Sequence, residues 1–287
     1  MRNVVPIYKP VGLTPYQSVL QFKKQSPEYA EVKISYAGRL DPMAEGLLLL
    51  LVGDENKKRN EYEKLRKTYE FTVLLGIETD TYDTLGIVKN PKHEARMSKQ
   101  ALNDSHFDSP RSSSGEAGIQ ISNLLSSFIG KQIQSYPPYS SKAVKGKPLY
   151  WWARENRLDE IEIPSHEIEI YDLQLISSEE IKISRLDRDP EWQRPSGQDL
   201  RFKIQENIKK VNGNFRQEEI LKTWEDFFIN TKHTEFPIFH CKITCSSGTY
   251  MRGIAHEIGQ KIGSGAIALS IKRTKVGKFD ISSIINV

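Results

Sequence analysis

The sequence lacks the features that mark secreted or membrane-spanning proteins. Two cysteines among 287 residues are too few for a disulfide framework and are typical of a reducing compartment. The longest unbroken apolar run, residues 47–52, is far short of the roughly 20 residues that cross a bilayer. No apolar segment of the signal-peptide kind follows the N-terminus. We therefore expect a cytoplasmic protein that does not enter a membrane.

Signals for metals and for nucleotide cofactors are also missing. His240 lies beside Cys241 and close to Cys245, but strand alternation places the histidine on the opposite face from both thiols. Core thiols are the better interpretation of these cysteines than a metal site. There is no phosphate-binding glycine loop and no nucleophile elbow. We expect neither a metal nor a cofactor.

The charge balance permits a nucleic-acid partner without requiring one. Lys and Arg number 41 against 37 Asp and Glu, a net charge of +4, and local patches matter more than such totals. One cluster within eleven residues consists of Lys57, Lys58, Arg59, Lys64, Arg66 and Lys67. It fits either a solvated helix face or a surface for nucleic acid.

Local patterns predict an α+β protein. Thr14, Pro15 and Gln17 have the spacing of a helix start with a capping box. Residues 47–52 read as a strand buried on both faces, and residues 69–75 as another strand. Strands and helices follow one another without a regular βαβ rhythm, which favours a mixed sheet over a doubly wound fold.

The composition and the spacing of apolar residues change between residues 177 and 237. A charged stretch leads into Leu200, Phe202 and Ile204, whose alternation predicts a strand. A helical spacing follows at Ile220, Leu221, Trp224, Phe227 and Phe228. We interpret residues 177–237 as an insertion that packs its own small cluster within a single domain spanning residues 1–287.

Asp41 is the most conspicuous candidate for chemistry. It stands between Leu40 and Pro42 and leads directly into the predicted buried strand, so a stiff local backbone holds it. A carboxylate at such a fixed point serves as a nucleophile or a base. The alternative is an aspartate that only forms a turn.

A series of motifs makes the chain resemble the TruB family of tRNA pseudouridine synthases. In chain order they lie at residues 8–14 (YKPVGLT), 33–42 (KISYAGRLDP), 53–57 (GDENK), 67–69 (KTY), 75–83 (LGIETDTYD), 136–143 (YPPYSSKA), 146–150 (GKPLY), 153–154 (AR), 247–252 (SGTYMR) and 273–277 (RTKVG). Together the matches extend over roughly two thirds of the chain.

The resemblance implies a fold, a reaction and a partner. The fold is that of pseudouridine synthases, a mixed and mostly antiparallel sheet flanked by helices around a central RNA-binding cleft. The reaction converts uridine to pseudouridine by cutting the N-glycosidic bond and rejoining the base through carbon 5, without metal or cofactor. The usual target is uridine 55 in the T-loop of tRNA, a base that must be flipped out. A monomer is the simplest expectation.

The resemblance also assigns roles to residues. Asp41 falls on the essential aspartate, which either attacks or deprotonates the sugar. Tyr69 falls on the tyrosine that stacks on the target base and is implicated in removing the carbon-5 proton. Arg252 falls on the arginine that pairs with the aspartate, and Tyr250 faces the same way if a strand ends here.

The RNA-binding set follows from the same match. Lys57 and Arg154 lie at motif positions that favour either contact with phosphates or local pairing. Single-stranded loops are recognised by stacking and by basic surfaces, which favours the RNA-facing interpretation of the lysine cluster. The cluster members assigned to RNA binding are Lys57, Lys58, Lys64 and Lys67.

The chain departs from the family pattern in its catalytic motif. Ser35, Tyr36, Ala37 and Arg39 stand where the family has glycine, histidine, threonine and threonine. The sequence of residues 38–41, GRLD, resembles the motif of the related RluA and RsuA families. We hypothesise that Arg39 enters the gap left by the flipped base and that Tyr36 stacks beside it.

These departures keep two alternatives open. One is the same chemistry on a different RNA, and the other is an RNA-binding, tRNA-folding chaperone with little catalysis. The intact trio of Asp41, Tyr69 and Arg252 counts against the chaperone. The sequence stops soon after the 273–277 motif, so we expect no C-terminal RNA-binding (PUA) domain, and the 177–237 insertion either supplies RNA contacts or is a structural addition.

Overall fold

The computed structural model describes residues 2–89, 116–183, 199–231 and 235–284. Its helices are α1 (Pro15–Gln25), α2 (Arg59–Lys64), α3 (Glu116–Ser126), α4 (Leu149–Arg154), α5 (Leu200–Lys210), α6 (Gln217–Asn230) and α7 (Met251–Ile262). Its strands are β1 (Val4–Lys9), β2 (Ile34–Ala37), β3 (Ala44–Val52), β4 (Lys67–Leu75), β5 (Gly130–Ser135), β6 (Ala143–Val144), β7 (Lys147–Pro148), β8 (Ser165–Lys182), β9 (Glu235–Cys245), β10 (Ala266–Val276) and β11 (Phe279–Asp280).

One large sheet organises the described residues. Its order is β1-β3-β10-β4-β9-β8-β5, with β2 added beside β3 and β11 beside β10. Among the described strands, β10 pairs with β3 in parallel and every other strand pairing is antiparallel. The predicted α+β class with a mixed, mostly antiparallel sheet is therefore confirmed.

The first helix begins where its sequence signals predict. The backbone nitrogen of Gln17 donates to Thr14 Oγ1 at 3.3 Å, and the backbone nitrogen of Thr14 donates to Gln17 Oε1 at 2.7 Å. This reciprocal pair is a capping box, and Pro15 occupies the first turn, where a missing N–H costs nothing. The helix start is confirmed.

Strand β3 lies between two apolar clusters. Leu48 and Leu50 pack towards α1, whereas Leu47, Leu49 and Leu51 pack on the other face with Val276. All five leucines are fully buried, which explains why this strand reads as a continuous apolar run rather than an alternating one. The prediction of a strand buried on both faces is confirmed.

Helices α3 and α7 cover one face of the central strands. Ile254 and Ile258 of α7 pack with Ile121 of α3 against the side chains of β4, β8, β9 and β10 that point to this face. The alternation along β9 puts Cys241 and Cys245 in the same cluster. Burial raises the pKa of Cys241 to about 12 and that of Cys245 to about 11, so the interpretation as core thiols is confirmed.

The helix pair α5 and α6 corrects the strand predicted at residues 200–204. Leu200, Ile204 and Ile208 are fully buried at a spacing of four, which is a helical stripe. The alternation of Leu200, Phe202 and Ile204 was misleading, because Phe202 faces outward and is 38% exposed. The helix predicted at residues 220–228 is confirmed as α6.

The α5–α6 pair does not form a cluster of its own, contrary to the prediction. Trp224 of α6 and Ile208 of α5 belong to the cluster that contains Leu74, Ile238 and Ile267 of the sheet. The sheet face opposite α3 and α7 needs a cover at this end, and the helix pair supplies it. Residues 177–237 also include the end of β8 and the start of β9.

Long apolar helices and clusters of metal-ligating side chains are both absent from the described ranges. None of the helices there is long and apolar enough to span a membrane. Within the same ranges, no group of three or more His, Cys, Asp or Glu residues is arranged to hold a metal ion.

Candidate active-site cleft

A cleft of about 1060 Å³ opens where β3 and β10 separate. Strand β10 pairs with β3 at Ala44 to Gly46, and β2 takes its place beside β3 from Leu49 onward. The loop of residues 38–43 crosses this point of separation, and Asp41 lies on it. The cleft brings together Asp41, Tyr69 and Arg252, which lie far apart in the chain.

Arg273 closes the seam beneath the Asp41 loop. Its buried guanidinium donates from Nε to the Leu47 carbonyl at 2.8 Å, from Nη2 to the Gly38 carbonyl at 3.1 Å and from Nη1 to the Arg39 carbonyl at 3.3 Å. Separating strands leave carbonyl groups without ladder partners, and an unsatisfied buried carbonyl is costly. Arg273 satisfies three of them and ties the loop to β10.

A close backbone approach at the same seam requires glycine. Gly46 has a φ of 106°, and a Cβ built on it would lie 2.4 Å from the backbone oxygen of Arg273. No side chain fits there, so any residue other than glycine would push β3 away from β10. Gly46 therefore allows the start of β3, which follows the Asp41 loop, to lie directly against β10.

The N-terminal segment holds the Asp41 loop from the other side. Lys9 is fully buried, and its Nζ donates to the Ala44 carbonyl at 2.5 Å and to the Pro10 carbonyl at 3.0 Å. The backbone nitrogen of Gly12 donates to the Pro42 carbonyl at 2.8 Å. Burial lowers the pKa of Lys9 to about 8. The loop is thus fixed at both ends.

Arg252 joins Asp41 to the interior. It lies in the first turn of α7 and is 3% exposed. Its Nε donates to Asp41 Oδ2 at 2.7 Å and lies 3.6 Å from Asp83 Oδ2, while its Nη1 donates to the Thr81 carbonyl at 2.6 Å. A third hydrogen bond runs from Nη2 to the Tyr139 carbonyl at 3.4 Å. The guanidinium is thereby held between two carboxylates and two carbonyls.

Asp83 is a second carboxylate of this network that sequence reasoning did not single out. It is buried, and it accepts from Thr81 Oγ1 at 2.6 Å and from the backbone nitrogen of Leu85 at 2.9 Å. Burial raises the pKa of Asp83 to about 6, although the Arg252 guanidinium acts in the opposite direction. The signal was present in the 75–83 motif, where threonines and aspartates alternate.

Tyr69 presents an aromatic ring beside Asp41. It is 8% exposed and lines the cleft. Burial raises the pKa of Tyr69 well above its ordinary value, so the phenol is neutral near pH 7.

Aromatic rings also form the wall near Tyr250. Its backbone nitrogen donates to Gln134 Oε1 at 2.8 Å, and its ring meets the Tyr136 ring edge-on with centroids 5.7 Å apart. The His166 ring stacks on the Tyr136 ring at 4.3 Å. The wall is therefore aromatic and rigidly supported.

The residues predicted to bind RNA fall into two groups. The cleft is lined by six of them, Tyr36, Arg39, Lys64, Lys67, Arg154 and Tyr250. Lys57 and Lys58 do not line it. Lys57 Nζ pairs with Asp54 at 2.7 Å and Lys58 Nζ pairs with Glu55 at 3.3 Å. The basic cluster is therefore split between the cleft and an outer face where acidic neighbours balance it.

Two cleft cations are held by polar partners. Arg39 donates from Nη1 to Ser141 Oγ. Lys67 is buried and donates from Nζ to the Glu63 carbonyl, and burial lowers its pKa to about 8. On the same wall, the Arg59 guanidinium lies 5.5 Å from the centroid of the Tyr36 ring.

The matching family model and the similar curated proteins are all described as pseudouridine or pseudouridylate synthases. The family model for the TruB family pseudouridylate synthase (N terminal domain) matches residues 24–112 and 108–186. The tRNA pseudouridine synthase B of Clostridium tetani is 28% identical over 286 residues, which is 100% of this chain and 71% of that protein. The protein of the same name from Caldicellulosiruptor saccharolyticus is 28% identical over 283 residues, covering 99% and 70%.

Solved structures give a more distant likeness. A chain of the crystal structure of a Cbf5-Nop10-Gar1 complex matches with a TM-score of 0.49 and 16% identity. The match covers 96% of this chain and 49% of that one, so the present chain spans about half the length of the solved relative.

Proposed function

Because the chain belongs to the TruB family of pseudouridylate synthases, we propose that it isomerises a uridine of tRNA to pseudouridine with Asp41 as the catalytic carboxylate. The observation that carries the assignment is the pairing of Asp41 with the buried Arg252 beside Tyr69. Relatives named tRNA pseudouridine synthase B align with the chain from end to end. The cleft volume is at the upper end of the range for ligand pockets, so a flipped nucleotide has room.

The proposed reaction conserves every atom of the nucleotide. The bond from the ribose C1′ to N1 of the base breaks, a bond from C1′ to C5 forms, C5 loses its proton and N1 gains one. Asp41 has a side chain that is 38% exposed to the cleft, so its carboxylate reaches the sugar either to attack it or to take a proton from it. Arg252 orients that carboxylate.

Tyr69 serves the detached base in this scheme. Its ring face stacks on the base while the glycosidic bond is broken, and stacking is available to any base because it needs only a π-face. The raised pKa keeps the hydroxyl protonated, so the hydroxyl oxygen accepts a hydrogen bond or relays a proton rather than acting as a phenolate.

The target that we propose is the T-loop uridine at position 55 of tRNA. Its base leaves the loop before reaction, and a side chain takes its place in the stack. Arg39 is positioned at the cleft rim by Ser141, and Tyr36 lines the same wall. We assign the vacated position to Arg39, with Tyr36 stacked beside it. If Arg39→Ala converts a folded T-loop as fast as the wild type, this assignment is wrong.

A different RNA target is the second candidate, and the GRLD sequence at residues 38–41 is the observation that favours it. The chemistry would be unchanged, whereas the RNA fold around the uridine would differ. A tRNA-folding chaperone without catalysis has no need for the buried Arg252 between two carboxylates.

Mapping of pseudouridine on an unmodified tRNA transcript tests the proposal. Wild type, Asp41→Asn and the control Asp159→Asn, an exposed aspartate outside the cleft, are incubated with equal RNA. We expect a new pseudouridine in the T-loop with wild type and the control, and none with Asp41→Asn. Product with all three proteins would remove Asp41 from catalysis. Product only on other cellular RNA would select the second candidate, and binding without any product would select the chaperone.

A further inference from the structure

The loop of residues 211–216, between α5 and α6, is the part of the 177–237 segment that reaches the cleft. Asn214, Phe215 and Arg216 line it. The family-model match ends at residue 186, so these three residues belong to a segment without a role so far. A loop that only connected two covering helices would have no reason to stand in the wall of the cleft.

The loop is fixed internally and to the N-terminal segment. The side chain of Gln217 donates from Nε2 to the carbonyls of Val211 at 3.0 Å and Gly213 at 2.6 Å, and its Oε1 accepts from the backbone nitrogen of Phe215 at 2.8 Å. The backbone nitrogen of Asn212 donates to the Gly12 carbonyl at 3.0 Å. These bonds give the loop one conformation, because its backbone groups are satisfied in place.

Arg216 anchors the loop to the catalytic wall. Its Nη1 lies 3.0 Å from Asp80 Oδ2, and its guanidinium carbon lies 4.4 Å from the centroid of the Tyr139 ring. Tyr139 is the residue whose carbonyl accepts from Arg252. Arg216 has a φ of 63°, a strained conformation that persists only where surrounding contacts impose it.

The loop in turn holds Arg154. The Asn214 carbonyl accepts from Arg154 Nη2 at 3.0 Å, and Arg154 is exposed in the cleft. A guanidinium has five N–H donors in a planar fork, so one carbonyl leaves donors for a phosphate. Planar pre-organised guanidinium groups bind phosphates well.

From this arrangement, we propose that the loop of residues 211–216 is an RNA-positioning wall. Anchored by Arg216, it holds Arg154 where the guanidinium binds a backbone phosphate beside the target uridine. Arg216 is a positioning residue and Arg154 makes the contact. The inference rests on the proposed function and adds to it a phosphate site built by the inserted segment.

The test is a double-mutant cycle on RNA affinity, carried out in the Asp41→Asn protein so that chemistry does not intervene. We expect Arg154→Ala to raise the Kd for a tRNA transcript by about tenfold, the effect of losing one charged hydrogen-bonded contact. The slope of log Kd against log salt concentration should also decrease by about one unit, the amount expected for the loss of one phosphate contact. Arg216→Ala should raise the Kd several-fold, and with Arg154 already replaced it should add less than twofold.

Two further variants separate positioning from general stability. Arg201 pairs with Glu225 across the same two helices but does not line the cleft, so Arg201→Ala should leave the Kd within twofold of the parent. Arg216→Lys keeps a cation opposite Asp80 and should recover most of the affinity. Each variant is assayed below its own melting temperature.

Three results would overturn the inference. They are an unchanged Kd in Arg216→Ala, an effect of Arg216→Ala that is just as large without Arg154, and an equal loss in Arg201→Ala. Failure of the proposed function is seen separately, as the absence of pseudouridine from wild-type reactions. If the protein binds RNA with the expected coupling but makes no product, the proposed function is wrong and the positioning role of the loop stands.

Discussion

Two arginine–aspartate pairs meet at Tyr139, and they differ mainly in how many carboxylates face the cation and how deeply that cation is buried. Arg252 has a side chain that is 4% exposed and is flanked by Asp41 and Asp83. Arg216 is 19% exposed and faces one carboxylate, Asp80. Removal of a fully buried cation that faces two carboxylates strongly destabilises a protein, whereas removal of a cation that reaches solvent and faces one carboxylate costs less. The same chemistry therefore serves as a fixed centre in one place and as an adjustable anchor in the other.

The largest effect is expected for Arg252→Met. This change leaves Asp83 buried without its cation and Asp41 without its orienting partner, so pseudouridine formation should fall below detection. The free energy of unfolding at pH 7.5 should fall by about 3–5 kcal/mol, measured by urea denaturation. Part of this stability should return near pH 5, where Asp83 takes up a proton. A loss below about 1 kcal/mol would show that Arg252 is not the fixed centre.

Asp83→Asn tests the buried carboxylate through its pH dependence. Burial raises its pKa in the folded protein from 3.8 to about 6, so between about pH 4 and 6 the folded state holds a proton that the unfolded chain has released. The contribution of this group to stability therefore falls as the pH rises through that window. The free energy of unfolding of Asp83→Asn, measured relative to that of wild type, should therefore rise by on the order of 3 kcal/mol between about pH 4 and pH 6. A difference in unfolding free energy that is flat with pH would contradict this.

Arg216→Ala should cost much less stability than Arg252→Met. Arg216 is 19% exposed, and Asp80 keeps a hydrogen bond from the backbone nitrogen of Ile87 when the arginine is removed, so the free energy of unfolding should fall by about 1–2 kcal/mol. Urea denaturation at pH 7.5 gives the value directly. A loss as large as that of Arg252→Met would mean that the two arginines do not differ as their surroundings indicate.

The smallest effects are expected in the basic cluster. Lys64 is exposed in the cleft, so Lys64→Ala should lower the salt dependence of tRNA binding by about one contact. Lys57 lies outside the cleft and is paired with Asp54, so Lys57→Ala should change neither the slope nor the Kd by more than twofold. Equal effects of both variants would mean that RNA covers the outer face as well.

Much of the fold could be predicted because its signals are local. The capping box predicts the start of α1 from four residues, and the apolar run predicts β3 from a single short segment. The strand predicted at residues 200–204 was wrong because Leu200 and Ile204 are two residues of a helical stripe as well as two of an alternation. Phe202, which faces outward, and Glu206, which is polar where an alternation would need an apolar residue, distinguish the two periods.

The candidate site could be predicted in part. Asp41, Tyr69 and Arg252 come from three distant segments, and only the motif resemblance linked them; their roles stay predictions. Arg273 and Asp83 were not assigned because nothing in composition or spacing shows that a charged side chain is buried. Local pairing was one of the two interpretations of Lys57. The same pairing of Lys58 could have been foreseen, because acidic residues precede both lysines by three positions.

The position of the cysteines has a practical consequence. The chain has two, and both lie in β9, in the middle of the sheet, with pKa values that burial raises far above neutrality. A thiolate is the reactive form, so an alkylating reagent finds nothing to modify until β9 is released from its neighbours. The rate of alkylation therefore reports how often the central sheet opens. RNA that stabilises the cleft would lower the rate of alkylation, so binding could be followed without a label on either partner.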